Sequence, residues 1–117
     1  MSPTQRTLAE LRKQGYTASV VEKWNPHAKI RQDLFGFIDI LGMKPYEPLL
    51  AIQATSTGNI SSRIQKITDT ALGLNWISTG NRLEVWGWAK RGARGKRKVW
   101  TLTVKVLAPG KAATNTI

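Results

Sequence analysis

The spacing of apolar residues changes several times along the chain, and each change predicts a new element. Leu8 and Leu11 give a short helical face over residues 3–14. Ser2 is placed to cap that helix, Pro3 suits its first turn, Gln5 completes a capping box and Gly15 stops it. Residues 17–24 are rich in β-branched side chains and read as a strand, broken by Asn25-Pro26. Residues 33–41 (DLFGFIDIL) read as a second strand, with Gly36 marking a bulge or a close backbone approach. After a turn at 42–48, residues 49–55 (LLAIQAT) form a third strand, paired with the second as an antiparallel hairpin. Ser56 to Asn59 reads as a loop that caps the next helix. Ile60, Ile64, Ile67 and Ala71 then recur at helical spacing, with Gly73 as a point of interruption, a short turn around Trp76-Ile77 and an end at Gly80. Residues 82–89 and 99–107 supply a fourth and a fifth strand. In the fifth, Trp100, Leu102, Val104 and Val106 alternate with polar residues, so one face is buried. The order is helix, three strands, helix, two strands, which predicts an α/β domain over residues 1–107 with helices packed on a mixed sheet. Residues 108–117, small and polar, read as a flexible tail.

Length adds one constraint: 117 residues make a single domain. Charge adds a functional one. Eighteen Lys and Arg against seven Asp and Glu give a net charge of +11 and a pI near 10.6. Such an excess repels itself in a folded protein, so a polyanionic partner is expected, with nucleic acid ahead of an anionic membrane surface. The membrane is the weaker reading because no basic amphipathic helix with a broad aromatic face is visible. The absence of cysteine excludes disulfide frameworks and thiolate chemistry, and the single histidine, His27, excludes a His-rich metal site within one chain. The polar N-terminus has no apolar signal region, and no apolar run nears the ~20 residues of a membrane span, so a cytoplasmic protein is expected.

Candidate chemistry centres on Asp39 and Gln53. The predicted hairpin sets them on adjacent strands, and pairing would place them side by side on one face. Asp33 lies an even number of residues before Asp39 and shares its face unless Gly36 shifts the phase. Two aspartates and an amide oxygen make a hard-oxygen site suited to Mg²⁺ or Mn²⁺. An aspartate amid Phe37, Ile38, Ile40 and Leu41 is costly without a function. Glu22, on the first strand, could join the same site, but nothing in the sequence fixes its facing; a solvated strand residue is the plainer reading.

The segment DLFGFIDIL, a turn, LLAIQATS and then a helix resembles the core of PD-(D/E)XK nucleases, with an αβββαββ restriction-endonuclease-like order. It is most similar to small Holliday-junction-resolvase-like and VRR-NUC-like members, and to small phage-type proteins with an R-x-D-L-F-G-x-x-D segment, here Arg31 to Asp39. The resemblance implies a Mg²⁺- or Mn²⁺-dependent DNA endonuclease, acting on branched or recombining DNA, as a homodimer in a bacterial or phage-infected cytoplasm. It also implies roles: Asp39 and Gln53 as metal ligands with Asp33 helping, Gln53 at the family's Glu/Asp position and Thr55 at its Lys position. Gln53 brings no charge and Thr55 no cation, and the glutamate of the resolvase first helix is unmatched. In this superfamily the cation can instead sit on the following helix. At about 100° per residue, Arg63 flanks the apolar stripe of that helix while Lys66 points further toward solvent, so Arg63 is the expected substitute.

A second constellation, Lys90 to Lys98 (KRGARGKRK), has six basic residues in nine and joins the last two strands. As a hairpin tip, Lys90, Arg91, Arg94, Lys96, Arg97 and Lys98 would lie along phosphates, joined by Lys29 and Arg31 near the site. The five tryptophans read mainly as core rather than as base-stacking groups. Two rivals to an enzyme remain from the sequence: a degenerate nuclease fold kept for binding nucleic acid or protein, and an accessory protein that blocks a nucleic-acid enzyme.

Overall fold

A computed structural model describes residues 1–108 and 111–115, the last five by their backbone alone. It is an α/β fold: helix α1 (Pro3–Lys13), strands β1 (Thr17–Val20), β2 (Lys23–Asn25), β3 (Ile30–Gln32), β4 (Ile40–Met43) and β5 (Leu50–Ser56), a 3-10 turn at Thr57–Asn59, helices α2 (Ile60–Thr68) and α3 (Ala71–Ser78), and strands β6 (Arg82–Arg91), β7 (Val99–Ala108) and β8 (Lys111–Asn115). The main sheet runs β1-β4-β5-β6-β7-β8, and β2 and β3 form a separate hairpin. β1, β4 and β5 are antiparallel neighbours; α2 and α3 cross over to β6, which runs parallel to β5; β7 returns antiparallel. None of the described helices is long and apolar enough to cross a membrane.

The start of α1 follows its sequence signals, whereas the cap expected from Ser56 to Asn59 does not form: residues 57–59 make the 3-10 turn, and Asn59 enters α2 without a side-chain cap bond. Ser2 Oγ accepts from the Gln5 amide at 3.1 Å, and Pro3 occupies the first helical turn. Gly15 (φ +91°) turns the chain out of α1. Each face of the sheet has its own apolar cluster. On one, α1 packs Leu8 and Leu11 against Ile40, Leu50, Ile52, Trp86 and Trp88. On the other, Ile60 and Ile67 of α2 meet Ala51, Leu83, Val85 and Leu107, with Phe37 and Ile38 alongside. α2 lies so close to β6 that a Cβ at Gly87 would fall 2.4 Å from Ile60 Cδ1, so only glycine fits there.

Several predicted elements are corrected. Residues 33–41 are not a strand: Leu34 to Phe37 form a tight reverse turn, closed by hydrogen bonds from Phe37 and Ile38 to the Leu34 carbonyl, and β4 begins only at Ile40. Its backbone needs positive φ at Phe35 (+55°) and Gly36 (+85°), so the glycine serves a turn rather than a bulge. The strand expected over 17–24 bends at Val21-Glu22 into two pieces, and the second pairs with β3. The helical break falls at Asp69-Thr70, where Thr70 Oγ1 caps the Leu72 amide, while Gly73 lies within α3 against Ile67. Trp76 and Ile77 belong to α3 rather than to a separate turn. Of the expected tail 108–117, Ala108 ends β7 and residues 111–115 pair with β7 as β8; residues 109, 110, 116 and 117 lie outside the described residues.

Candidate metal centre

The hairpin register builds the centre. Ile40 pairs with Ile52, and both face α1. One step along, Asp39 lies beside Gln53 on the opposite face, the one covered by α2. Past the end of β4, the Ala54 amide donates to Asp39 Oδ2 at 2.9 Å, and the Asp39 amide donates to the Ile52 carbonyl at 3.0 Å. The reverse turn at 34–37 then returns Asp33 to the same place, where its Oδ2 accepts from Gln53 Nε2 at 2.8 Å. The expected meeting of Asp33, Asp39 and Gln53 therefore occurs, but a turn produces it rather than strand phase.

A third carboxylate joins them. The Val21 amide donates to the Asp39 carbonyl at 2.8 Å and holds the bend after β1 against this spot. Glu22, Asp33 and Asp39 each bring a carboxylate oxygen within 4.8 Å of the others. The sequence left Glu22 as a solvated strand residue; its facing is set by the bend at Val21, which has no local signature.

Asp39 is 5% exposed, and its environment favours the neutral acid. Burial first, then the hydrogen bond and negative charge of Asp33, with Glu22 adding, push its carboxyl from 3.8 up to about 8, against the opposing pull of the Ala54 amide. At neutral pH the site thus holds a proton where a cation could stand. Gln53 adds a second sign of incompleteness: it is 1% exposed, yet its Oε1 has no hydrogen-bond partner among the described residues. A buried amide oxygen without a donor is costly, and here it belongs to a group already bonded to Asp33. Three carboxylates and an amide oxygen are hard donors of the kind that suit Mg²⁺ or Mn²⁺.

The cation beside the cluster is Lys66, not Arg63. Lys66 Nζ lies 3.5 Å from Asp33 Oδ2. Arg63 makes no hydrogen bond or ion pair among the described residues. Lys66 stands here in place of the expected Arg63 because the reverse turn carries Asp33 to the flank of α2 from which Lys66 projects. Thr55 is buried two residues beyond Gln53, opposite Gly87 of β6, and contributes no charge.

Outside the acids opens a cleft of about 490 Å³ lined by Arg31, Gln32, Asp33, Gly36 and Lys66. Arg31 lies on β3, with Nη1 3.7 Å from Glu22. Lys29 sits in the β2–β3 turn at φ +55°. Lys90 and Arg91 end β6, while Arg94, Lys96, Arg97 and Lys98 occupy the exposed tip, where the Lys96 amide closes a turn onto Ala93. Arg91 is six residues beyond Val85, the partner of Gln53, so the tip begins roughly 20 Å along the strand from the acids. The tryptophans divide: Trp86 and Trp88 are core, Trp76 is half-buried, but Trp24 and Trp100 are 52% and 43% exposed, with Arg6 stacked over Trp100 at 3.7 Å. Comparison with protein-family models, curated proteins and solved structures finds no match for this chain.

Proposed function

We propose that the chain is a metal-dependent, nuclease-like protein that acts on DNA phosphodiesters. The observation that carries this reading is the buried Gln53 Oε1, without a hydrogen-bond partner among the described residues, beside three clustered carboxylates. Support for the PD-(D/E)XK resemblance comes from the antiparallel β1-β4-β5 arrangement followed by a helical crossover into a parallel β6. Glu22, Asp33, Asp39 and Gln53 would hold the ion. When bound, it supplies Lewis acidity toward a phosphoryl oxygen and toward water. To hold the ion Asp39 would have to give up its proton, which would tie affinity to pH. Lys66 and Arg31, lining the cleft, hold the non-bridging oxygens, with Lys66 serving where Thr55 cannot. The hairpin tip at 90–98 lies along the backbone further out and adds salt-sensitive affinity.

A binding module without cleavage is the second reading, favoured by the neutral Thr55 and Gln53. Labelled linear, single-stranded and four-way-junction DNA, incubated with Mg²⁺ or Mn²⁺, separates the two. Asp39→Ala is expected to lower a metal-dependent cleavage rate about 100-fold or more. Binding with no cleavage, unchanged in Asp39→Ala, would leave the module.

A further inference from the structure

The turn that carries Asp33 to the metal centre has two sides. Gly36 lines the cationic cleft, and its neighbour Phe35 lines a second cavity of about 320 Å³ together with Leu72, Asn75, Trp76, Thr79 and Asn81. Phe35 is 56% exposed and holds a left-handed backbone (φ +55°), which an aromatic residue rarely adopts. An exposed ring kept at a strained position contributes little to the core, so its position calls for another role. Across the cavity Trp76 is fixed by its Nε1 donating to the Arg82 carbonyl at 2.8 Å. Asn81 Nδ2 donates to Thr79 Oγ1 at 3.0 Å, whereas the Asn75 side-chain amide has no partner among the described residues.

Among the described residues, no charged side chain lines this cavity. It offers aromatic rings, one aliphatic wall, and amide and hydroxyl groups at the rim. An occupant matching that chemistry is flat, neutral, stackable and polar at its edge. We propose that the cavity receives an unpaired nucleobase of the strand whose phosphate lies in the Arg31–Lys66 cleft, so that the preferred substrate has a single-stranded or extruded nucleotide there. This rests on reading the cleft as a phosphodiester site. Phe35 and Trp76 supply stacking surface, and Asn75 reads the base edge. An apolar protein side chain would fill the volume, but it would leave the amides unused and has no tie to the adjoining cationic cleft.

The test is binding without metal, in EDTA, to a fluorescent single strand, to the same strand in a duplex, and to single strands with one abasic residue moved along them. Wild type is expected to prefer the single strand and to lose affinity at one abasic position. Phe35→Gly relaxes the left-handed backbone, so its melting temperature should hold. It should lose about 5- to 150-fold in single-strand affinity, the worth of one stacked base, and little in duplex affinity. Asn75→Ala, on an exposed helix position, should weaken the same contact. Equal behaviour of both variants and wild type on every strand would reject the base pocket while leaving the cleft reading intact. Failure of wild type to bind any strand would reject both.

Discussion

Two buried carboxylates stand on opposite faces of one sheet, and the protein treats them differently. Glu84, 3% exposed on the α1 face, is complete: Oε2 accepts from Arg82 Nη2 at 3.0 Å and Oε1 from Trp86 Nε1 at 2.9 Å. Arg82 is itself tied to the Tyr16 hydroxyl at 2.9 Å and lies 3.6 Å from Glu47. Asp39, 5% exposed on the α2 face, has one backbone amide and two like-charged neighbours. Burial alone therefore does not mark a functional acid. What distinguishes Asp39 is that the described residues give its carboxyl no cationic partner of its own, whereas Glu84 has Arg82, so burial beside Asp33 and Glu22 drives Asp39 toward its neutral form.

Breaking the complete side should have the largest effect. Arg82→Met leaves Glu84 buried without its guanidinium and is expected to cost about 3 kcal/mol, read as a melting temperature lowered by roughly 10 °C or more, with no rescue by Mg²⁺. Asp39→Asn should act in the opposite direction. The folded carboxyl holds its proton up to about pH 8 while the unfolded one releases it near 3.8, so the wild type without metal loses stability as pH rises through that window. The amide variant should show no such decline and be more stable above pH 8 by about 2 kcal/mol in thermal melts without metal. Gln53→Glu sharpens the contrast further: a fourth negative charge should raise Mn²⁺ affinity about tenfold by calorimetry while lowering the melting temperature of the metal-free protein. The smallest change is expected from Lys66→Met. Its half-exposed ion pair with Asp33 is worth under about 0.5 kcal/mol, so melting should hardly shift while DNA cleavage falls.

Much of this contrast is legible in the sequence. The β4–β5 hairpin, and with it the adjacency of Asp39 and Gln53, follows from two apolar runs and a turn-rich link. The crossover helix follows from the isoleucine spacing, and the α1 cap from Ser2-Pro3. What escaped the sequence depends on backbone excursions with weak local signatures. DLFGFIDIL is as apolar as a strand, and only Gly36 hints that the chain reverses. Phe35 accepts positive φ there although an aromatic residue predicts the opposite. That single turn also decides which flank of α2 meets Asp33, and hence Lys66 over Arg63. Glu22 depends on the bend at Val21, which is fixed by a bond to a residue far along the chain.

The alternation of Asp39 and Ile40 also guards the assembly of the sheet. If β4 slid by one residue along β5, every side chain would change face: the carboxylate would enter the cluster of Leu8, Leu11 and Ile52, and Ile40 would turn to the α2 face beside Gln53. A carboxyl without a hydrogen-bond partner in that apolar layer is more costly than the crowding it suffers in the native register. The acid that weakens the correct structure thus penalises its nearest misfold more heavily, and works as a proofreading device for strand alignment.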